Sequence, residues 1–200
     1  MGQENTDILG LDISTSVVGI SVINMMGELI HYSHVTLNKV KKKKPEYESI
    51  WKKGNKIYET LLEINAQFDI GYVFIEAPAE SGFKGMTNAK TMAILQSFNG
   101  IVSWQTELIF GVSPIHLAVR SMRKKAGIRQ LGSRGKSKKE KQRVKKQNKI
   151  FVNEFFQDLY ENFEVVITAK GNIRAQCLDE SDSILTSYIG WMGIGEGKYN

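Results

Sequence analysis

An α/β fold is what this chain of 200 residues predicts: a five-stranded mixed sheet, its first three strands antiparallel, flanked by helices. Two observations carry that expectation. Residues 7–37 hold three short strand-like runs separated by turn signals, and the chain beyond them alternates strand-like runs with longer stretches whose apolar residues recur at helical spacing.

The opening DILGLDI, the turn STS and VVGISVI give two strands, and MGELIHYSHVTL, beyond a turn at Met26 and Gly27, gives a third in an antiparallel meander. After the loop KKKKPEYES a helix is expected from about Pro45 to Phe68, where Ile50, Ile57, Leu61, Leu62 and Ile64 recur at roughly helical spacing. YVFIEAP, residues 72–78, reads as a short buried strand ended by Pro78. A glycine-bearing loop, ESGFKG, a helix from about Thr87 to Leu108 and GVSPIH as fifth strand follow. Little is apolar between Arg120 and Lys149; then Ile150, Phe151, Val152, Phe155, Phe156 and Leu159 mark a helix that packs on the body, and a last helix runs from about Leu178 to Trp191. No repeat or linker divides the chain, so residues 1–200 are expected to form one domain with a basic insert at about 120–149.

Composition removes several classes of function. The chain is 42% apolar and 10% aromatic, enough for a core, so disorder throughout is excluded. Its polar start, MGQENTD, is unlike a secretory signal and no apolar run approaches the roughly 18 residues that span a bilayer, so an intracellular protein is expected. The single cysteine, Cys177, excludes a disulfide framework and a Cys-rich zinc site, while His31, His34 and His116 are too scattered for a histidine metal site.

The net charge of +6 conceals an asymmetry: residues 120–149 hold 14 Lys or Arg and one acid, Glu140, a net +13, leaving 13 basic and 20 acidic residues, a net −7, elsewhere. So dense a positive run needs an anionic neighbour, and nucleic-acid phosphate is the obvious one; a solvated loop or a localisation signal is the plainer alternative. Lys138, Lys139, Lys141, Lys145 and Lys146 are the candidate phosphate contacts. Lys41 to Lys44, with Lys52, Lys53 and Lys56, form a smaller second cluster. Arg123, Lys124, Lys125 and Arg129 lie nearest the expected fifth strand, where a cation could offset charge developing on a phosphate.

Acids in apolar surroundings point to the chemistry. Asp12 lies inside ILGLDISTSVVGISVI with no Lys or Arg before Lys39, Glu76 ends VFIE, and Asp179 and Asp182 stand at i, i+3 in CLDESDSILTSYIG, on one helical face. If the first and fourth strands are neighbours, all four carboxylates converge. Two such charges about 4 Å apart repel by roughly 4 kcal/mol at an effective dielectric of 20, so a cation must hold them. All-oxygen donors suit Mg²⁺ or Mn²⁺, and two ions sharing a carboxylate make a clamp for attack of water on a phosphodiester. Taken singly, Asp179 is also what a helix cap needs, Asp182 what a first helical turn favours, and Glu76 an ordinary strand-end acid.

GLDIST, VFIEAP and DESD, in that order over residues 8–190, resemble the RuvC-type Holliday-junction resolvases of the RNase H-like superfamily, with the D…E…DxxD pattern complete. The long Lys-rich insert is closer to divergent phage or viral relatives. The resemblance implies an RNase H-like fold and Asp12, Glu76, Asp179 and Asp182 as catalytic acids binding two Mg²⁺ or Mn²⁺ ions. It also implies four-way or other branched DNA as substrate. Phe83, followed by Lys84, sits near the position where related resolvases carry an apolar wedge for the junction centre; a packing or dimer contact is the alternative. Two nicks in strands of like polarity, with one set of acids per chain, imply a homodimer. An RNA/DNA-hybrid or flap nuclease would use the same acids, and a non-catalytic DNA-binding module would explain the lysines alone. GLDISTSVVGISVI is also similar to the first phosphate loop of actin-like kinases, but no second Asp-Gly motif follows.

Overall fold

Parity along two strands decides what faces what. In β1 (Asp7–Ile13) Leu9, Leu11 and Ile13 enter one core while Ile8, Gly10 and Asp12 turn to the opposite face of the sheet. In β4 (Ile70–Glu76) Val73 and Ile75 part in the same way from Tyr72, Phe74 and Glu76. The computed structural model, which describes residues 6–37, 46–78 and 89–199, makes these two strands neighbours. With β2 (Val17–Ile23), β3 (Leu29–Thr36) and β5 (Ile115–Leu117) they form a sheet of order β3-β2-β1-β4-β5. The first three strands are antiparallel, as expected, and β1, β4 and β5 run parallel. Parallel neighbours need crossovers, supplied by α1 (Glu46–Asn65) and α2 (Ala89–Phe110).

One face of the sheet closes on these two helices, where Leu9, Leu11 and Ile75 meet Ile57, Leu61 and Phe98. The other closes on α4 (Lys138–Leu159) and α5 (Ala175–Gly195), where Ile8 and Phe74 meet Val152, Phe156, Ile184 and Leu185. Helix α4 starts twelve residues before the apolar run that predicted it. Ser137 accepts from the Glu140 backbone N–H at 3.4 Å and the Glu140 carboxylate accepts from the Ser137 N–H at 2.8 Å, a reciprocal cap that starts the helix inside the basic run. The short α3 (Val119–Lys125), with Met122 buried, was not expected. Among the described residues no helix is long and apolar enough to cross a membrane.

Glycines let α5 lie against the sheet. A Cβ at Gly10 would stand 2.5 Å from the Ser187 nitrogen and one at Gly19 would overlap the Asp179 carbonyl. In the space so kept, the Ser21 hydroxyl donates to the Ser183 carbonyl at 2.9 Å. Gly19→Ala is therefore expected to push the start of α5 off the sheet and lower stability by about 1–3 kcal/mol; an unchanged urea midpoint would refute this close approach.

Candidate active site

Asp12 and Glu76 follow directly on the paired residues Leu11 and Ile75, so the two acids leave adjacent parallel strands on the same face at the same end. Their side chains are hydrogen-bonded to each other. From above, α5 brings Asp179 and the almost fully buried Asp182, and all four predicted acids meet. The helix begins at Ala175, so capping does not explain Asp179.

The cation that stands among them is a lysine. Lys149 Nζ lies 2.8 Å from both Asp179 Oδ1 and Asp182 Oδ2 and 3.9 Å from Asp12 Oδ2, and an Arg123 guanidinium nitrogen lies 3.1 Å from Asp182 Oδ1. The cation expected among the acids thus includes a lysine from far along the chain, beside the place assigned to metal. Lys149 precedes Val152 and Asn153, both buried on α4, by three and four residues and so shares the face that the folded helix turns inward.

Two fixed positive charges do not balance four carboxylates. Burial, then the charge of Asp182, pushes Asp12 up to about 7 despite Lys149. Burial followed by Asp12 and Asp182 raises Glu76 well above the ordinary glutamate range. Burial opposes the Lys149 ammonium, but Asp182, Asp12 and Asp179 outweigh it and hold its pKa above the usual lysine value. The residual negative charge and an all-oxygen donor set are what a hard divalent cation requires. As the side chains stand, however, no group of three or more His, Cys, Asp or Glu among the described residues is arranged to hold a metal; Lys149 links them instead.

A pH dependence follows. The folded protein retains on Asp12 a proton that the unfolded chain, at an ordinary pKa of 3.8, sheds well below neutrality; Glu76 shifts the same way. The unfolded state therefore binds fewer protons between about pH 4 and 7, and stability falls as pH rises, by about 1.4 kcal/mol per unit for each proton held. Lys149, whose pKa is also raised in the folded state, adds a loss of the same sign only above its ordinary value of 10.5. In EDTA the thermal midpoint is expected to be higher at pH 5.5 than at pH 8; the reverse order would contradict this account of the charge cluster.

The other predicted contacts divide. Arg123 reaches the acids, and Lys124 lies beside it on α3. Lys125, two residues beyond Arg123, emerges on the opposite side of α3, and its ammonium pairs with Glu196 at 2.7 Å. Arg129 instead stacks over the Phe151 ring at 5.3 Å. Lys138, Lys139, Lys141 and Lys145 line the first half of α4, and Lys146 donates to Asn172 Oδ1 at 3.2 Å. Phe83, Lys84 and Lys41 to Lys44 lie outside the described residues.

The sequence matches no protein-family model and no curated protein. Solved structures do resemble it. T. thermophilus RuvC in complex with Holliday junction substrate aligns with a TM-score of 0.60 at 12% identity, covering 96% of this chain and 97% of that one. A second Thermus thermophilus RuvC structure aligns at 0.55 and 12% identity, covering 96% and 98%. The chain therefore has the RuvC fold, the RNase H-like layout its sequence predicts.

Proposed function

We propose that this chain, with the RuvC fold as premise, is a crossover junction endodeoxyribonuclease, a metal-dependent enzyme that hydrolyses phosphodiesters in four-way (Holliday) or other branched DNA. The observation that carries this reading is the meeting of Asp12, Glu76, Asp179 and Asp182 around a buried excess of negative charge, flanked by the basic α3 and α4. The junction bound to the T. thermophilus neighbour supports the choice of branched DNA. Asp12, Glu76, Asp179 and Asp182 would hold two Mg²⁺ or Mn²⁺ ions, and metal bound there would neutralise the phosphate and supply a nucleophilic water. The chain's own part is placement. Paired strands fix Asp12 and Glu76, while α5 fixes the other two acids. Lys149 and Arg123 place two positive charges where a phosphate enters, able to donate to its oxygens as charge develops. The lysines of α4 hold the DNA through backbone contacts that carry no base information. Phe83 and Lys84 are proposed contacts at the branch point.

A resolvase needs two such sites, and a homodimer supplies them. Phe156 is fully buried and Phe151 and Phe155 pack on the core, so α4 is occupied within the chain; α2 instead leaves Trp104 and Leu108 more than half exposed, the apolar contact we assign to a second copy. Labelled junction, flap, RNA/DNA hybrid and linear duplex, each with Mg²⁺ or Mn²⁺, test the reading. Paired symmetric nicks in the junction are expected, from a particle of about twice the 22.6 kDa chain mass by light scattering. Cleavage of hybrid or flap alone, by a monomer, would replace it.

A further inference from the structure

Beside the acids, between α3 and the segment 130–134, lies a cleft of about 990 Å³. Arg120, Arg123, Lys124 and Arg134 bring four cations to its lining, Gln130 and Ser133 add neutral polar groups, and among the described residues no carboxylate takes part. Like charges collected without a counterion repel one another, which is costly unless an anion occupies the space between them.

The wall opposite α3 is built rather than loose. The Asn148 side chain accepts from the Leu131 N–H at 2.8 Å and donates to the Leu131 carbonyl at 3.2 Å, a two-point clamp. Arg129 over Phe151 and the buried Ile128 fasten the residues just before it. Asn148 is the immediate neighbour of Lys149, so the clamp sets the cleft and the acid cluster in register along α4.

Arg123 belongs to both places. One guanidinium nitrogen is spent on Asp182, the side chain is 11% exposed, and its Nε is buried without a hydrogen-bond partner among the described residues. A buried unpaired donor costs about 1–3 kcal/mol, so the Arg123 guanidinium keeps hydrogen-bonding capacity beyond its contact with Asp182. Guanidinium forks suit phosphate oxygens in particular.

We propose that this cleft binds a second phosphodiester of the DNA, displaced from the one that is cut, and that Arg120 and Arg134 are its principal ligands. The proposal rests on the nuclease reading for the identity of the anion. Through Arg123, seating of this phosphate is coupled to the position of Asp182, so the cleft sets which phosphate along the strand reaches the acids.

The test uses the full chain in EDTA, where binding is measured by fluorescence anisotropy without cleavage. The probes are one labelled four-way junction and a series in which single phosphates are replaced by neutral methylphosphonate. The parent should lose about 5–10-fold in affinity at one or two positions away from the scissile phosphate, as expected for one lost charged contact. Arg120→Gln/Arg134→Gln should bind the unmodified junction correspondingly less tightly, lose the sensitivity at those positions alone, and show a salt slope shallower by about one or two. Both arginines are exposed, and Arg120→Lys/Arg134→Lys should restore most of the affinity. If the parent and the Gln variant respond alike at every position, or the variant merely weakens all positions equally, the cleft holds no particular phosphate and the proposal is overturned. Failure of the nuclease reading shows separately, as a parent that binds the junction but cuts nothing with Mg²⁺ or Mn²⁺. A parent that binds no DNA would overturn both.

Discussion

Asp12→Asn protein is expected to fold, to bind branched DNA about as tightly as the parent, and to cut it at least about a thousandfold more slowly. Asn keeps the shape of the side chain and removes its charge. Asp12 shares a hydrogen bond with Glu76, feels Asp182 and Asp179, and lies 3.9 Å from Lys149, so it touches acids from both the sheet and α5. Without its charge the remaining three acids would hold metal weakly or in the wrong place. In EDTA at pH 8 the same substitution relieves repulsion, so the thermal midpoint should stay level or rise while activity is lost. That opposition separates a catalytic defect from a folding one. Single-turnover cleavage of a labelled junction measures the rate, and a variant cutting at close to the parent rate would end the proposed role of the acids. Glu76→Gln, Asp179→Asn and Asp182→Asn should also lose cleavage; Asp182→Asn additionally weakens the hold on Arg123 and Lys149.

Lys149→Met should show the reverse pattern in stability. Methionine fills much of the same volume but leaves Asp179 and the 3% exposed Asp182 side chain without their ammonium. Removing one partner from a buried charge cluster costs about 3–5 kcal/mol, and the lower end applies because the Lys149 side chain remains 22% exposed. A loss of about 3 kcal/mol in EDTA at pH 8, read from the urea midpoint, is the expected result. Millimolar Mg²⁺ or Mn²⁺ should raise the midpoint of the variant more than that of the parent, since the metal then meets carboxylates released from the lysine. Cleavage should also fall because a cation beside the phosphate is gone. An unchanged midpoint in EDTA would show that Lys149 does not hold the cluster together.

Much of the site was legible before any coordinates. Alternation in DILGLDI and YVFIE puts Asp12 and Glu76 on the face opposite Leu11 and Ile75, and i, i+3 spacing puts Asp179 and Asp182 on one face of a helix. These are local regularities, fixed by backbone geometry within a few residues, and they survived intact. Ser137 with Glu140 is an equally local signal, marking the start of a helix inside a run whose charge alone gives no sign of it.

Lys149 belongs to another order of information. It is one of 14 cations in thirty residues, and nothing in its immediate neighbours distinguishes it from Lys145 or Lys146. What selects it is the rotation of α4 about its own axis, set by Val152 and Phe156 as they enter the core beneath α5. The same holds for Arg123, aimed inward while Lys125 turns to Glu196, and for Asn148, which clamps Leu131 across 17 residues. Strand, helix and acid pattern were determined by the sequence alone, because hydrogen-bonding period and side-chain alternation are short-range. Which cation neutralises which acid was decided only by the tertiary structure: the partners lie up to 137 residues apart, and their meeting depends on how glycine-lined strands and several apolar faces pack at once.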